Sequence, residues 1–378
     1  MRLAVGTITI VTGLLLILGL TMLHSLAMHH GQEPRFFVQQ TMWLGIGVGA
    51  CTLAAAIDYR KTRWAAYLLL AGVVALLVVT RYSPWAHRIN GAYRWLRFGG
   101  VTLQPSELAK LALILALAAY AHAMRRRMRE FWMGFVVPGA MAGVVLGGVL
   151  IGKDLGTTAL LALLAGGMLF VAGVRPAFLI PTGVVGASLL VLYLATDPVR
   201  RGRWESFVDP EAHADSGALQ TIQSMVAIGS GGTVGRGLGN GIHKSGFVPE
   251  QQTDFILSVI GEELGLRVTL PLLASYLAFL LAGFHIARRA RDMYGAMLAS
   301  GISLVIGLQA VINVAVTTGA MPNKGLALPF VSYGGSCLVT MLTLVGLLIN
   351  VAIRSAREEA DENLPETEDR EASALQTA

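Results

Sequence analysis

GRGLGNGIHKSGFVPEQQTDFILSVIGEELG, residues 235–265, is a polar, glycine-rich stretch set between long apolar blocks. Its carboxylate Asp254 stands at the lip of the apolar run that begins at Phe255. An ionisable group at a membrane boundary is costly to place and marks a functional site by default. The surrounding chain reads as a scaffold that presents this segment.

Composition says what kind of scaffold. The chain has 378 residues, 54% apolar and only 14% charged, with a mean hydropathy of +0.62. A soluble chain carries roughly 25% charged residues. The apolar residues come in blocks of about 20, the length that crosses a bilayer as a helix. Ten blocks can be read, near 5–25, 40–57, 65–80, 105–124, 132–151, 156–174, 177–195, 266–286, 296–316 and 333–353. The expected fold class is an all-α polytopic membrane protein of about ten transmembrane helices, with a large extracytoplasmic loop, about 196–253, between helices seven and eight. Arg2 ahead of a long apolar run has the look of a signal peptide, but the many further spans argue against cleavage. Cys51 and Cys337 lie in apolar surroundings with no histidine nearby, which suits buried thiols rather than zinc ligands. Nucleic acid is not an expected partner.

Orientation follows the Lys/Arg bias of the short connections. The clusters Arg60-Lys61-Arg63, Arg125-Arg126-Arg127 with Arg129, and Arg288-Arg289 with Arg291 fall on one side, with Arg2, Arg175, Arg354 and Arg357. That side is expected to be the cytoplasm, with both termini on it, in the cytoplasmic (inner) membrane. The outer side still holds Arg94, Lys153, Arg203, Arg236, Lys244 and Lys324, mostly in long loops, which cross whatever their charge. Cations kept there suit an anionic ligand or, more plainly, anionic lipid head groups. Residues 1–357 thus read as one membrane domain. Residues 358–378, with eight acidic side chains, read as a disordered acidic cytoplasmic tail.

Several motifs carry chemistry. The run from Gly235 to Gly241 lacks the preceding strand and the spacing of a dinucleotide loop. Its glycines, with Asn240 among them, either close a tight turn or let backbone amides approach a phosphate. Pro249 biases Val248 away from helix, so a helix is expected to begin around 250–254, with Thr253 or Glu250 near its cap. Asp254 would then lie in the first turn, where the helix dipole favours its anion. It is a candidate general base or electrostatic stabiliser, or a plain N-terminal acid. On such a helix Glu262 falls about 80° from Asp254 and Glu263 about 180° away. Only Glu262 could share the Asp254 face, and an ion pair with an arginine such as Arg267 is its structural alternative. Pro105 suits a first helical turn. Glu107 and Lys110, three residues apart, either neutralise each other or leave Lys110 to a substrate. Asp154 is placed to cap the next helix or to pair with Lys110. The Pro and Gly residues between Met321 and Ser336 mark irregular backbone at membrane depth, tolerated only where buried in protein or lining a cavity.

Taken together, these motifs resemble a known family. The matching residues are Asn90-Gly91-Ala92 with Arg94-Trp95, Gln104 through Lys110, Asp154-Leu155-Gly156-Thr157, Gln223-Ser224, Gly237 through Asn240, Pro249-Glu250, Thr253-Asp254-Phe255, Gly261 through Gly265, Gln309-Ala310 with Asn313, and Lys324 through Ser336. Over about residues 5–356 they resemble the SEDS family (shape, elongation, division and sporulation), the FtsW and sporulation branch more than the RodA branch. The chain departs from the family at Gln252, where a titratable His is usual, at Gly246, at Cys337 and at Arg267.

The resemblance implies a peptidoglycan glycosyltransferase that polymerises lipid II beside a class B penicillin-binding protein transpeptidase, with Asp254 as the catalytic carboxylate. Asp254 would take the proton of the acceptor 4-hydroxyl, whose oxygen attacks the donor's anomeric carbon. Cations must hold the undecaprenyl diphosphate leaving group. The candidates are Arg94, Lys110, Lys153, Arg203, Arg236, Lys244 and Lys324, with Asn240 and Ser332 as further polar contacts. Glu107, Asp154, Gln223, Glu250, Thr253 and Glu262 would support them. A divalent cation, magnesium or manganese, would help neutralise the diphosphate, but the outer carboxylates are too scattered to define a protein-built metal site. Two alternatives remain: a carrier that flips lipid II along buried Glu107, Lys110 and Asp154, and a non-enzymatic scaffold of the wall-synthesis complex. The paired, Gly/Pro-broken spans of an inverted-repeat carrier are not evident.

Overall fold

A computed structural model of the chain describes residues 1–29, 35–83, 86–89, 92–98, 101–196, 198–212, 218–242, 251–323 and 325–362. A backbone in hydrocarbon must satisfy its polar groups within its own segment, so each apolar block forms a helix. These are α1 (Arg2–His29), α2 (Arg35–Ala56), α3 (Thr62–Tyr82), α4 (Pro105–Ala123), α5 (Val137–Ile151), α6 (Leu155–Val171) and α7 (Pro176–Thr196). Three shorter helices follow: α8 (Pro198–Val208), α9 (Leu219–Gly231) and α10 (Ile256–Leu264). The bundle closes with α11 (Leu266–Arg289), α12 (Met293–Thr317) and α13 (Gly335–Glu362). Among the described residues nine helices are long and apolar enough to cross a membrane. Helix α6, with 17 residues, is the tenth apolar helix of the bundle. The molecule is a polytopic helical membrane protein.

The connection between α3 and α4 holds something the hydropathy pattern does not announce. It is an antiparallel sheet of β1 (Ala86–Ile89), β2 (Ala92–Phe98) and β3 (Val101–Leu103), in that order. Helices α4, α12 and α13 are the most enclosed spans, while α7 has no fully buried residue along Pro176–Tyr193 and touches the bundle through Phe178, against Phe131 and Phe135.

Helix α13 runs alongside α2 in a seam made close by small residues. Gly335 lies against the Trp43 ring, Gly47 against Leu342 and Gly346 against the Cys51 carbonyl. Without a hydrophobic drive between helices in lipid, such close backbone approach is what holds spans together.

At the end of the bundle where α13 stops, Arg60 is 2.9 Å from Asp292 and 2.7 Å from Glu358. Nearby, Arg354 is 3.2 Å from Asp58 and Arg291 is 2.7 Å from Glu362. Burial pushes the Asp292 carboxyl up, but the Gly295 amide, the Tyr59 hydroxyl and Arg60 outweigh it and hold the group below its usual value. Helix α13 therefore continues past residue 357, and the start of the acidic tail is helical and paired. Residues 363–378 lie outside the described residues.

A leucine at Gly346 has no room beside Cys51 and must push α2 from α13. Gly346→Leu is expected to destabilise the folded protein by about 1–3 kcal/mol, read as a lowered thermal unfolding midpoint in detergent. An unchanged midpoint would mean that the seam is looser than described.

Candidate active site at the end of the bundle

One end of the bundle collects the motifs. There the α12 terminus, the 325–334 loop, the start of α4, the α5–α6 junction and α10 converge. The turn 251–255 carries Asp254, half-buried, directly before α10. Three successive carbonyls of this turn are held from elsewhere. The Tyr333 N–H donates to Gln252 O at 2.9 Å, the Ser332 hydroxyl donates to Thr253 O, and Asn313 Nδ2 donates to Asp254 O at 2.8 Å. In a continuing helix those carbonyls would accept from residues four further on. They are already engaged, so α10 begins only at Ile256, with Phe255 at its cap and no side-chain cap bond. The helix, expected to start around 250–254, therefore starts slightly later, at Ile256. The cap position is held by Phe255 rather than Thr253, and Asp254 lies outside the first turn, beyond the strongest reach of the helix dipole.

The 325–334 loop is itself braced. Ser332 Oγ accepts from the Leu328 N–H at 2.8 Å, and the Tyr276 hydroxyl donates to Pro329 O. Phe330 adopts φ +67°, a left-handed conformation uncommon for an aromatic residue, with its ring buried near Phe279. Gly325 faces the Asp254 carboxylate so closely that an added Cβ would lie 2.5 Å from Oδ2.

The other end of α10 is a different device. Glu262 and Glu263 are fully buried. Glu262 accepts from the Ile242 N–H at 2.8 Å and lies 3.9 Å from Arg236. Glu263 accepts from Ser25 Oγ at 2.8 Å and from the Gly239 N–H at 3.0 Å. The amides of Arg236 and Gly237 donate to the carbonyls of Glu262 and Glu263, both at 2.9 Å. The glycine-rich loop thus wraps the C-terminal end of α10. Gly235, at φ +82° and packed against the Glu263 carbonyl, leaves no space for a side chain. These amides are engaged by α10, which corrects the phosphate-loop alternative. Asn240 donates to Arg236 O at 3.4 Å within the same turn. Glu262 stands about 9 Å along the helix from its start, at the end held by the glycine-rich loop, while Asp254 lies ahead of the other end. The arginine partner of Glu262 is Arg236, not Arg267.

Lys110 is also enclosed. Its ammonium donates to both Glu107 oxygens at 2.8 Å and to Gln309 Oε1 at 2.7 Å. It is fully buried and its donors are taken, so the diphosphate contact expected of it is corrected. Ser332 is corrected likewise, because its hydroxyl is spent within the protein. Asp154 caps α6, accepting from the Thr157 N–H at 3.2 Å. Its ion-pair partner is Arg94 at 3.7 Å, while Lys110 interacts with it only at longer range. Arg94 is half-exposed on β2 and donates to the carbonyl of Lys153, an exposed residue, at 3.4 Å. Gln223 is half-buried on α9, whose Ser224 donates to Thr317 O at 2.8 Å. Arg203 lies on α8. Lys244, Glu250 and Lys324 lie outside the described residues. Among the described residues no three His, Cys, Asp or Glu side chains converge as a metal site would require.

Residues 1–357 match the cell cycle protein family model of FtsW, RodA and SpoVE. The chain belongs to this family. It is 40% identical over 319 residues to a probable peptidoglycan glycosyltransferase FtsW of Geobacter metallireducens, covering 84% of this chain and 85% of that one. It is 37% identical over 356 residues to the protein of that name from Marinobacter nauticus, covering 91% and 88%. A chain from a structure describing how a peptidoglycan synthase complex coordinates polymerization and crosslinking superposes with a TM-score of 0.77 at 28% identity, covering 92% of this chain and 97% of that one. The rod shape determining protein RodA of Thermus thermophilus superposes with a TM-score of 0.70 at 26% identity, covering 92% and 96%.

Within this SEDS fold three further residues brace the turn and its neighbouring loop: Asn313 bonds both, Gln309 holds the loop, and Gly325 lies against the Asp254 carboxylate. All three fall in the family motifs, yet none is ionisable or nucleophilic. For Gln309 and Asn313 the sequence signal is a pair of amides at i, i+4 in an otherwise apolar span, a costly placement unless both are bonded.

Gly325→Ala places a methyl 2.5 Å from Asp254 Oδ2, too close for both to stay where they are. The short carboxylate can swing aside, so folding is expected to survive while function fails. The expected outcome is a loss of activity of at least about tenfold at an unchanged thermal midpoint, since misplacement by about 1 Å can cost 10²-fold. Wild-type activity would show that the carboxylate does not work from this position.

Proposed function

We infer that the protein is a peptidoglycan glycosyltransferase that polymerises lipid II into glycan strands. The observation that carries the mechanism is Asp254, a half-buried carboxylate on a turn whose backbone is gripped at three successive carbonyls. A general base must sit within hydrogen-bond reach of the proton it removes and stay there. Asp254 takes the proton of the acceptor sugar's 4-hydroxyl. The oxygen forms a bond to the anomeric carbon of the donor as the bond to the undecaprenyl diphosphate breaks. The membrane keeps both lipid tails in one plane, which supplies part of the orientation. Of the candidate cations, half-exposed Arg94 beside exposed Lys153 supports a diphosphate-facing role better than enclosed Lys110.

The same reading places the Asp254 end on the outer face of the cytoplasmic membrane, with both termini in the cytoplasm. The short basic connections Arg60–Arg63, Arg125–Arg129 and Arg288–Arg291 lie at the opposite end and support this. A single-span, class B penicillin-binding transpeptidase is the expected partner, supported by the synthase complex from which the similar chain comes. The membrane domain ends near residue 357 in this reading, and the acidic extension is accessory. A flippase is less well supported, because Glu107 and Lys110 are bonded to each other and to Gln309 rather than lining an open polar path.

Purified Asp254→Asn, incubated with labelled lipid II and resolved on a gel, is expected to lose about 10²–10⁴-fold in rate while still folding in detergent. Full polymerisation by this variant would overturn the assignment.

A further inference from the structure

Helix α12 carries two amides one turn apart, Gln309 and Asn313, and the proposed reaction gives neither a task. Both are buried almost completely. Gln309 Nε2 donates to Ala327 O at 2.7 Å, while its Oε1 accepts from Lys110 at 2.7 Å. Asn313 Nδ2 donates to Leu326 O and to Asp254 O, each at 2.8 Å. The two amides therefore hold consecutive carbonyls of the 325–334 loop, and Asn313 ties that loop to the turn of Asp254. Both partners of Asn313 Nδ2 are carbonyl oxygens, which decides how the amide is turned.

The other half of the Asn313 side chain makes the point sharper. Its Oδ1 is buried and has no hydrogen-bond partner among the described residues. A buried acceptor left unmatched is a standing cost. The amide is kept for its two donors, and few side chains of that length offer two donors and no charge. Aspartate has none when ionised and one when protonated. Leucine has none.

We propose that Asn313 is a positioning residue for Asp254. It sets the distance and angle between the carboxylate-bearing turn and the loop around Gly325, and Gln309 anchors that loop to the buried Glu107–Lys110 pair. This rests on the reading of Asp254 as the general base. Asn313 touches no reacting atom. Its effect passes through the main chain of Asp254, so substrate affinity should be spared and turnover lost.

The test uses the full chain in nanodiscs, with wild type, Asn313→Ala, Asn313→Asp and Asp254→Asn side by side. The rate per folded molecule is measured against lipid II concentration and pH, and amide hydrogen exchange is followed across 252–258 and 326–334. Asn313→Ala is expected to lower kcat by an order of 10²-fold with KM within about twofold, and to speed exchange in both segments. In Asn313→Asp the introduced carboxyl can donate to one carbonyl only while protonated. Its activity relative to wild type should therefore rise as pH falls. A kcat per folded molecule within about twofold of wild type in Asn313→Ala overturns the proposal. So does a pH profile of Asn313→Asp parallel to wild type, or unchanged exchange in both segments. Should wild type itself fail to polymerise lipid II, the glycosyltransferase reading falls, and the exchange measurement still decides whether Asn313 holds the turn.

Discussion

The structure turns on three carbonyl oxygens in a row, those of Gln252, Thr253 and Asp254. Each is held by a donor from a distant part of the chain: a main-chain N–H at Tyr333, a hydroxyl at Ser332 and an amide at Asn313. A turn in water would satisfy such groups with solvent. At the end of a membrane bundle the protein must supply the donors itself. Supplying them fixes the turn and stops α10 from starting earlier. The backbone that carries the carboxylate is rigid because of these bonds.

The rest of that end serves the same constraint at longer range. Glu262 and Glu263 bind the glycine-rich loop to the far end of α10 and link it to Ser25 of α1. The short helix is thus held at both ends. Below the 325–334 loop, Lys110 satisfies Glu107 and Gln309 together. A buried charge that loses its partner is strongly destabilising, so this trio resists rearrangement and keeps α4 and α12 in register beneath the site. These charges lie in the SEDS motifs beside Asp254, but their geometry is that of a foundation rather than a binding surface.

Much of this was legible in the amino-acid order, for identifiable reasons. Hydropathy marks spans because a bilayer admits few alternatives, and the apolar blocks became helices near the expected positions. Asp254 stands out because it is an isolated acid at an apolar lip. The start of α10 was not legible, because the donors that delay it lie about sixty to eighty residues away in sequence. The enclosure of Lys110 was half legible: Glu107 is a local neighbour, but Gln309 is 199 residues off. The glycine-rich loop suggested anion binding because its amides are free on paper, and only the fold brings the α10 carbonyls to them. The small sheet escaped for another reason. Asn90-Gly91 is a strong hairpin signal, but its flanking strands of 4 and 7 residues carry too little apolar alternation to stand out.

The central claim is that Asp254 meets the acceptor sugar at its hydroxyl. The most direct measurement is an experimental structure of the Asp254→Asn chain in nanodiscs with lipid II bound in the acceptor position. The account places the attacking hydroxyl oxygen about 3 Å from the side chain at 254, on the face shared with Gly325. An acceptor bound with that oxygen beyond reach of the side chain, even through one water, would contradict it.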